Sequence, residues 1–203
     1  MRTVLLALYT VLALHAAAPA YADGVSVVTY TRLGHAVVFD ADRRNAPGVG
    51  FGVRAEMATF AVDVSFLNMV TGFHPIDEAQ DVTAGSLLKI EGLRFFSPRA
   101  SSSAYLGGGV SWGFLSVGRA APLAGGVSSW SGGGLQGELT AGYELARKSP
   151  VRVFVQADAT APFFGAVSET YAYPVGGFVR TGWDTRYMPT VVLSIGVGWH
   201  RGW

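Results

Sequence analysis

The sequence contains no cysteine, and after residue 22 it contains no apolar run long enough to form a membrane helix. Without disulfides, an exported chain of this length must be held together by a core or by sheet closure. A spanning helix needs about 20 consecutive apolar residues. Glycine is abundant at 27 residues, well above average usage, and aromatic residues make up 12%. Together these features favour β structure over helices.

The chain also lacks an excess of charge of either sign, with 15 basic and 14 acidic residues. If residues 1–22 are removed, one arginine is lost and 14 residues of each sign remain. There is no polybasic run of the kind that binds nucleic acid or anionic lipid. We therefore expect no nucleic-acid partner.

The N-terminus has the three parts of a secretory signal peptide. Arg2 supplies a minimal positive region, residues 4–14 an apolar region, and Ala20-Tyr21-Ala22 a cleavage signal. The alternative, an uncleaved anchor helix, would need an apolar segment of about 20 residues. We expect a signal peptide over residues 1–22, cleaved after Ala22, and a single domain over residues 23–203.

Eight stretches of the remaining chain alternate between apolar residues and polar or small residues, as a strand with one apolar face does. They cover residues 25–33, 49–57, 60–67, 87–96, 105–117, 135–145, 151–160 and 190–203. In the last stretch Val191, Leu193, Ile195 and Trp199 share one face. The fourth stretch slips by one at Gly92, which predicts a β-bulge there.

The connections between these stretches alternate in length. Those near residues 58–59, 97–103 and 147–150 are short, whereas residues 34–48, 68–86, 118–134 and 163–189 form long ones. Transmembrane barrels show this asymmetry, with short periplasmic turns and longer extracellular loops. The pattern predicts an all-β fold, an eight-stranded antiparallel transmembrane β-barrel with both termini on the short-turn side.

A soluble lipocalin-like calyx has the same strand number and alternation, and the location of the charges distinguishes the two folds. Ten charged residues lie on one face of their strands, opposite the aliphatic face: Arg54, Glu56, Asp63, Lys89, Glu91, Arg94, Glu138, Glu144, Arg152 and Asp158. Unpaired burial costs several kcal/mol per ion, so such a face does not suit a calyx for an apolar ligand. We predict a lumen charge network inside a membrane barrel whose aliphatic face meets lipid. The alternative role for these lumen charges is a small ion pathway.

The signal peptide, eight strands, alternating loops and C-terminal aromatic residue resemble the small Gram-negative outer-membrane β-barrels, the class of outer-membrane proteins A, X and W. The resemblance covers nearly the whole of residues 23–203 but identifies no subfamily. It implies a location in the outer membrane and contact with its lipid and lipopolysaccharide. It also implies recognition by the barrel-assembly machinery, with Gly198, Trp199 and Trp203 in the C-terminal assembly signal; Arg201 departs from the usual hydrophobic residue.

Residues that could carry chemistry are few and scattered. Only His35, His74 and His200 follow the signal peptide, and none has a serine two residues later, as in the barrel deacylases that modify lipid A. Residues 132–137 match G-x-G-x-x-G but lead into a strand rather than a helix. We expect no catalysis, cofactor or metal site.

The last long connection is rich in aromatic residues, which could bind a partner at the cell surface or pack internally as strand extensions. The possible loop contact residues are Phe163, Phe164, Tyr171, Tyr173, Phe178 and Trp183. We expect a structural or surface-interaction role through connections 68–86 and 163–189, with an extracellular partner that the sequence does not identify. The alternatives are a narrow channel or hydrophobic-solute conduit, and a lipid A-modifying enzyme.

Overall fold

The computed structural model describes residues 25–39, 43–71, 82–121, 126–172 and 179–201. The predicted signal peptide, His74, Tyr173, Phe178 and Trp203 lie outside these ranges. No helix in the described parts of the chain is long and apolar enough to cross a membrane. The strands are β1 (Val25–Val38), β2 (Arg44–Met57), β3 (Phe60–Thr71), β4 (Val82–Phe95), β5 (Ser103–Ala121), β6 (Gly126–Leu145), β7 (Val151–Pro162), β8 (Ala166–Ala172), β9 (Val179–Arg186) and β10 (Thr190–Arg201).

Eight of these strands form a closed antiparallel ring in the order β1, β2, β3, β4, β5, β6, β7, β10. The ring closes because β1 pairs with β2 on one side and with β10 on the other, in a register that places Tyr30 opposite both Gly52 and Gly198. Closure removes the free sheet edges that lipid could not satisfy. The predicted eight-stranded barrel is confirmed. The remaining strands, β8 and β9, form a hairpin that pairs with the first part of β6.

Side chains alternate between the two surfaces of the ring, and the distribution is the reverse of that in a soluble protein. Trp112 and Leu139 face outward and are 66% and 69% exposed, whereas Arg54 faces inward and is 2% exposed. Water cannot be the solvent on the outer face, because so continuous an apolar band would not stay dispersed in it. The outer face is therefore a lipid-contact surface, and the calyx alternative is excluded.

The barrel has two distinct ends. The terminal end carries Val25, Arg201 and the turns at residues 58–59, 96–102 and 146–150, and the hairpin end carries β8 and β9. Exposed aromatic side chains form a band near each end, as expected where the headgroups lie. The terminal-end band consists of Phe60, Phe96, Tyr143 and Trp199, and the hairpin-end band of Phe39, Trp112, Phe114, Phe163 and Tyr187.

Several strands continue into segments that the sequence pattern assigns to long connections. β1 and β2 are separated only by residues 39–43, and β5 and β6 only by residues 122–125. The long connection at 163–189 contains the β8–β9 hairpin, and residues 72–81 separate β3 from β4. The extension of β6, residues 126–134, is rich in glycine and serine, so it lacks the apolar alternation that marks a strand in lipid. Backbone pairing with β5 and β8 sustains it without that pattern.

The bulge predicted at Gly92 is not present. The β3–β4 register runs without a shift from Asp63 opposite Glu91 to Ala61 opposite Leu93. Leu93 and Phe95 consequently face inward, and Arg94 faces outward. Near the terminal end, β4 therefore has apolar residues on its inward face and a charged residue on its outward face, because an apolar layer packs in the lumen there. In the sequence, this reversal looks like a one-residue slip of the alternating pattern. That layer consists of Ala61, Leu93, Phe95 and Tyr105.

Two glycines on adjacent strands give a matched test of this packing. A Cβ at Gly109 on β5 would fall on the Ile90 carbonyl of β4, whereas a Cβ at Gly92 would meet nothing within 4 Å. We predict that Gly109→Ala lowers the free energy of unfolding by about 1–3 kcal/mol, because the two backbones must separate. Gly92→Ala should change it by less than about 0.5 kcal/mol. The measurement is the urea midpoint of the heat-modifiable gel band in lipid vesicles, and equal effects would contradict the packing described.

Candidate functional site

Nine of the ten charged residues proposed for the lumen face inward and are buried, and Arg94 alone faces outward. The structure adds two basic residues to these charge clusters, and it buries a third, Arg44 on β2, whose Nη1 donates to the Gly118 carbonyl at 3.2 Å. Arg32 extends inward from β1, and Arg147 reaches back into the lumen from the turn at residues 146–150. Together these eleven side chains form two clusters stacked along the barrel axis.

The terminal cluster consists of three cations and three carboxylates: Arg54, Arg147, Arg152, Glu56, Asp63 and Glu144. Arg152 Nη1 lies 2.8 Å from Glu56 Oε2 and 3.0 Å from Glu144 Oε1. Arg147 Nη2 lies 3.2 Å from the same oxygen of Glu56. The cluster is neutral, because it holds three charges of each sign. Each cation is shared between carboxylates from different strands, so the cluster ties β2, β6 and β7 together.

Arg54 is the centre of the terminal cluster. Its Nε donates to Asp63 Oδ2 at 2.9 Å and its Nη1 to Glu144 Oε2 at 2.8 Å. Four aromatic rings surround the guanidinium, with centroids 5.1–5.8 Å from Cζ; they belong to Tyr30, Phe95, Tyr105 and Phe154. A cation held between ring faces and two carboxylates is stabilised without water.

The middle cluster lies closer to the hairpin end and holds two cations and three carboxylates: Arg32, Lys89, Glu91, Glu138 and Asp158. Asp158 is shared by both cations, at 2.9 Å from Arg32 Nη1 and 2.8 Å from Lys89 Nζ. Lys89 Nζ also lies 3.1 Å from Glu91 and 3.7 Å from Glu138. Hydroxyl groups supply further donors, since Ser111 donates to Glu138 and Thr140 to Glu91. The cluster has one carboxylate more than it has cations.

Neutral side chains join the two clusters. Tyr105 Oη donates to Gln156 Oε1 at 2.8 Å, and Gln156 Nε2 donates to Asp158 Oδ1 at 2.7 Å. On the other wall of the barrel, Tyr30 Oη donates to Asp63 Oδ1 at 2.5 Å. The result is a continuous polar network across the lumen, which we call the lumen plug.

Beyond the middle cluster the lumen becomes apolar, which the sequence pattern did not reveal. A first layer comprises Ala36, Ala46, Leu67, Met69, Leu87 and Val192. A second layer at the rim comprises Val38, Leu115, Val117, Trp130, Ala166 and Met188. A cavity of about 20 Å³, bordered by residues of both layers, has room for about one water molecule. Apolar packing therefore closes the lumen above the plug.

The aromatic residues proposed as loop contacts do not share one environment. Phe163 is exposed in the hairpin-end aromatic band, directly after β7. Phe164 is half-buried against Gly132 and Gly134 of β6, where a Cβ would crowd its ring. Tyr171 lies on β8 and Trp183 on β9. Phe163 and Phe164 therefore have positions that lipid contact and packing explain.

At the C-terminal strand, Gly198 faces the lumen beside Val28, and Trp199 faces outward in the terminal-end aromatic band. Their part in an assembly signal stays a prediction. The two histidines in the described ranges lie at opposite ends of the barrel. His35 Nε2 is 3.2 Å from Asn45 Oδ1, and His200 pairs with Val28 near the terminal end. No group of three potential metal ligands occurs in the described parts of the chain.

The sequence pattern indicated the inward positions of Arg32 and Arg147 only weakly, and the reasons differ. Arg32 lies on the polar face of the first stretch, but that stretch is only faintly patterned, with threonines on its outward face. Arg147 follows the last residue of β6 by two and reads as part of a turn. Only the fold shows that its long side chain returns over Phe95, 3.8 Å from the ring centroid.

An inward network of paired charges, an outward apolar face and two aromatic bands define the class: this chain is an eight-stranded transmembrane β-barrel of the outer-membrane type. Solved structures with the same fold include Neisserial surface protein A, with a TM-score of 0.60 and 14% identity over 87% of this chain and 99% of that one. The attachment invasion locus protein Ail of Yersinia pestis, in complex with the heparin analogue sucrose octasulfate, matches with a TM-score of 0.56 and 14% identity over 89% and 100%.

OprG of Pseudomonas aeruginosa matches with a TM-score of 0.54 and 12% identity, over 89% of this chain and 97% of that one. No protein-family model matches the chain, and no curated protein matches it in sequence. The similarity is therefore one of architecture, and the features specific to this chain must be sought in its own residues.

Arg54 and Arg94 carry the same group on opposite faces and provide a matched pair of variants. We predict that Arg54→Met lowers the free energy of unfolding by about 3–5 kcal/mol, because two buried carboxylates lose a shared partner. Arg94→Met should cost less than about 1 kcal/mol, since its guanidinium is exposed. Urea titration of the heat-modifiable band in vesicles measures both. A similar loss for the two variants would contradict the inward and outward placements.

A second pair of variants separates the effect of the contact geometry in the middle cluster from the effect of its net charge. Asp158→Asn and Glu91→Gln each leave two cations and two carboxylates, but only Asp158 is bonded to both Arg32 and Lys89. We predict a loss of about 3 kcal/mol for Asp158→Asn and about 1 kcal/mol or less for Glu91→Gln. If the two variants unfold at the same urea concentration, the charge sum rather than the shared contact governs stability.

Proposed function

We propose that this protein is a non-conducting barrel in the outer membrane of a Gram-negative bacterium that anchors a surface-interaction platform at its hairpin end. One observation carries the proposal. The lumen is closed while strands at the hairpin end continue well past the lipid-contact band. The barrel then serves to hold those strands in place rather than to pass a solute.

The closure has two components. The lumen plug fills the central and terminal parts with buried ion pairs, and two apolar layers fill the hairpin side. An eight-stranded barrel has interior space only for side chains. A channel or a conduit along the axis would require several of these pairs to separate, each at a cost of several kcal/mol.

The strand extensions are longest in β5 and β6, which have 19 and 20 residues. About 9–11 tilted residues cross a membrane. The outward face changes character at the expected place: Trp112 and Phe114 are followed by Ser116, and the β6 partner of Ser116 is Ser131. The paired strands continue past this level, and β6 carries the β8–β9 hairpin there.

The charges of the connecting segments constrain the partner. By sequence alone, residues 39–44, 72–81, 118–126 and 163–189 contain five arginines and seven carboxylates: Arg43, Arg44, Arg119, Arg180 and Arg186 against Asp40, Asp42, Asp77, Glu78, Asp81, Glu169 and Asp184. Ail has been crystallised with a sulfated heparin analogue. Segments with more carboxylates than cations do not favour such a polyanion. We infer a neutral or cationic partner, with the hairpin aromatics Tyr171 and Trp183 as contact residues.

The test replaces residues 165–187 by a short Gly-Ser linker in a bacterium that displays the protein. The β7–β10 register, which pairs Thr160 with Thr190, does not depend on the hairpin. We predict that the linker variant keeps its heat-modifiable mobility but loses binding to a panel of immobilised matrix proteins and neutral glycans, and loses self-sedimentation of the cells. Arg43→Ala, outside the hairpin, should retain these activities.

Planar-bilayer recordings of the purified protein give the second readout. We expect no steady conductance from the intact protein at verified insertion, because the plug and apolar layers block the axis. Steady single-channel steps that persist in the linker variant would overturn the non-conducting part of the proposal. Unchanged binding and sedimentation in the linker variant would overturn the surface-interaction part.

A further inference from the structure

Among the described residues, the exposed charges at the terminal end are all positive. Every described aspartate and glutamate whose side-chain position is given is buried in the lumen. The exposed charged side chains at the terminal end are those of Arg94, Arg99 and Lys148. The described part of the terminal rim therefore carries a net positive surface.

The fold assembles this surface from residues that are far apart in the sequence. The turns at 96–102 and 146–150 touch, because Arg147 N donates to Ser101 O at 2.9 Å and Arg147 Nη1 to Pro98 O at 3.3 Å. Arg99 and Lys148 are the chain neighbours of Pro98 and Arg147. The inward ion pair of Arg147 with Glu56 fixes the turn that presents Lys148 outward.

The same surface lies at the edge of the lipid-contact band. Phe60, Phe96 and Tyr143 belong to the terminal-end aromatic band and are 56%, 61% and 43% exposed. Arg94 Cζ lies 5.9 Å from the Phe60 ring centroid, so the guanidinium sits over the face of a lipid-facing aromatic residue at the edge of the band. Tyr143 Oη donates to Ser102 Oγ at 2.9 Å, which ties the aromatic band to the serine-rich turn.

We propose that Arg94, Arg99 and Lys148 form a binding surface for the anionic phospholipid headgroups of the leaflet at the terminal end. Guanidinium groups bind phosphate through paired hydrogen bonds, and each cation near an anionic membrane surface adds to the attraction. No exposed carboxylate among the described residues competes for these cations at this end. The aromatic residues beside them place the cations at phosphate depth. The proposal requires only that the barrel spans a bilayer.

The test is the lipid selectivity of the refolded full-length barrel in phosphatidylcholine vesicles, read by electron paramagnetic resonance of spin-labelled lipids. We expect spin-labelled phosphatidylglycerol to be retained at the protein surface with an association constant about threefold or more above that of spin-labelled phosphatidylcholine. The preference should decrease as salt is raised, because the cations are exposed.

The decisive variant combines Arg94→Gln, Arg99→Gln and Lys148→Gln, and its matched control is Arg43→Gln, an exposed arginine at the hairpin end. We expect the triple variant to lose the preference and Arg43→Gln to keep it, with both showing normal heat-modifiable mobility. Equal retention of the two lipids by the intact protein would overturn the proposal. A preference unchanged in the triple variant would also overturn it. If the triple variant keeps its lipid selectivity but no longer binds purified peptidoglycan, the three cations serve that polymer and the lipid proposal is overturned as well.

Discussion

The structure depends on the pairing of charges inside a closed ring. Arg54 on β2 bonds Glu144 on β6, 90 residues later, and Arg32 on β1 bonds Asp158 on β7, 126 residues later. Neither pair can form within one hairpin, so the lumen plug requires the first and last strands to meet. Closure in turn requires the plug, because an inward charge without its partner costs several kcal/mol in a site without water. The two conditions make barrel closure and charge pairing a single cooperative event.

The plug also explains the layering of the lumen. Paired ions are strongest where water is excluded, and two apolar layers lie on the hairpin side of the polar network while a third is interleaved with the terminal cluster. Phe95 and Tyr105 belong to the layer at the terminal end and also contact Arg54 or Arg147 through their rings. Glycines allow the strands to approach at the same level, since Gly109 leaves room for the β4 backbone beside Glu91. A closed interior suits the role we propose, that of an anchor for a surface platform at the hairpin end.

The sequence predicted the parts of the fold in which the two faces differ in polarity. Period-two alternation identified the eight barrel strands and placed nine inward charges, because lipid outside and ion pairs inside impose opposite residue types. It failed where the faces become alike. Arg94 was misplaced because inward Leu93 and Phe95 resemble lipid-facing residues. The Gly- and Ser-rich continuation of β6 carries no alternation at all.

Formal neutrality of residues 23–203 conceals an axial separation of charge. Among the residues whose side chains the structure describes, the terminal rim has three exposed basic residues and no exposed acid, the terminal cluster has three charges of each sign, and the middle cluster has two basic residues and three acids. The net charge of these residues thus falls from positive at the terminal rim to negative in the middle cluster. The rim cations are left without carboxylate neighbours because the described acids are used in ion pairs inside the lumen.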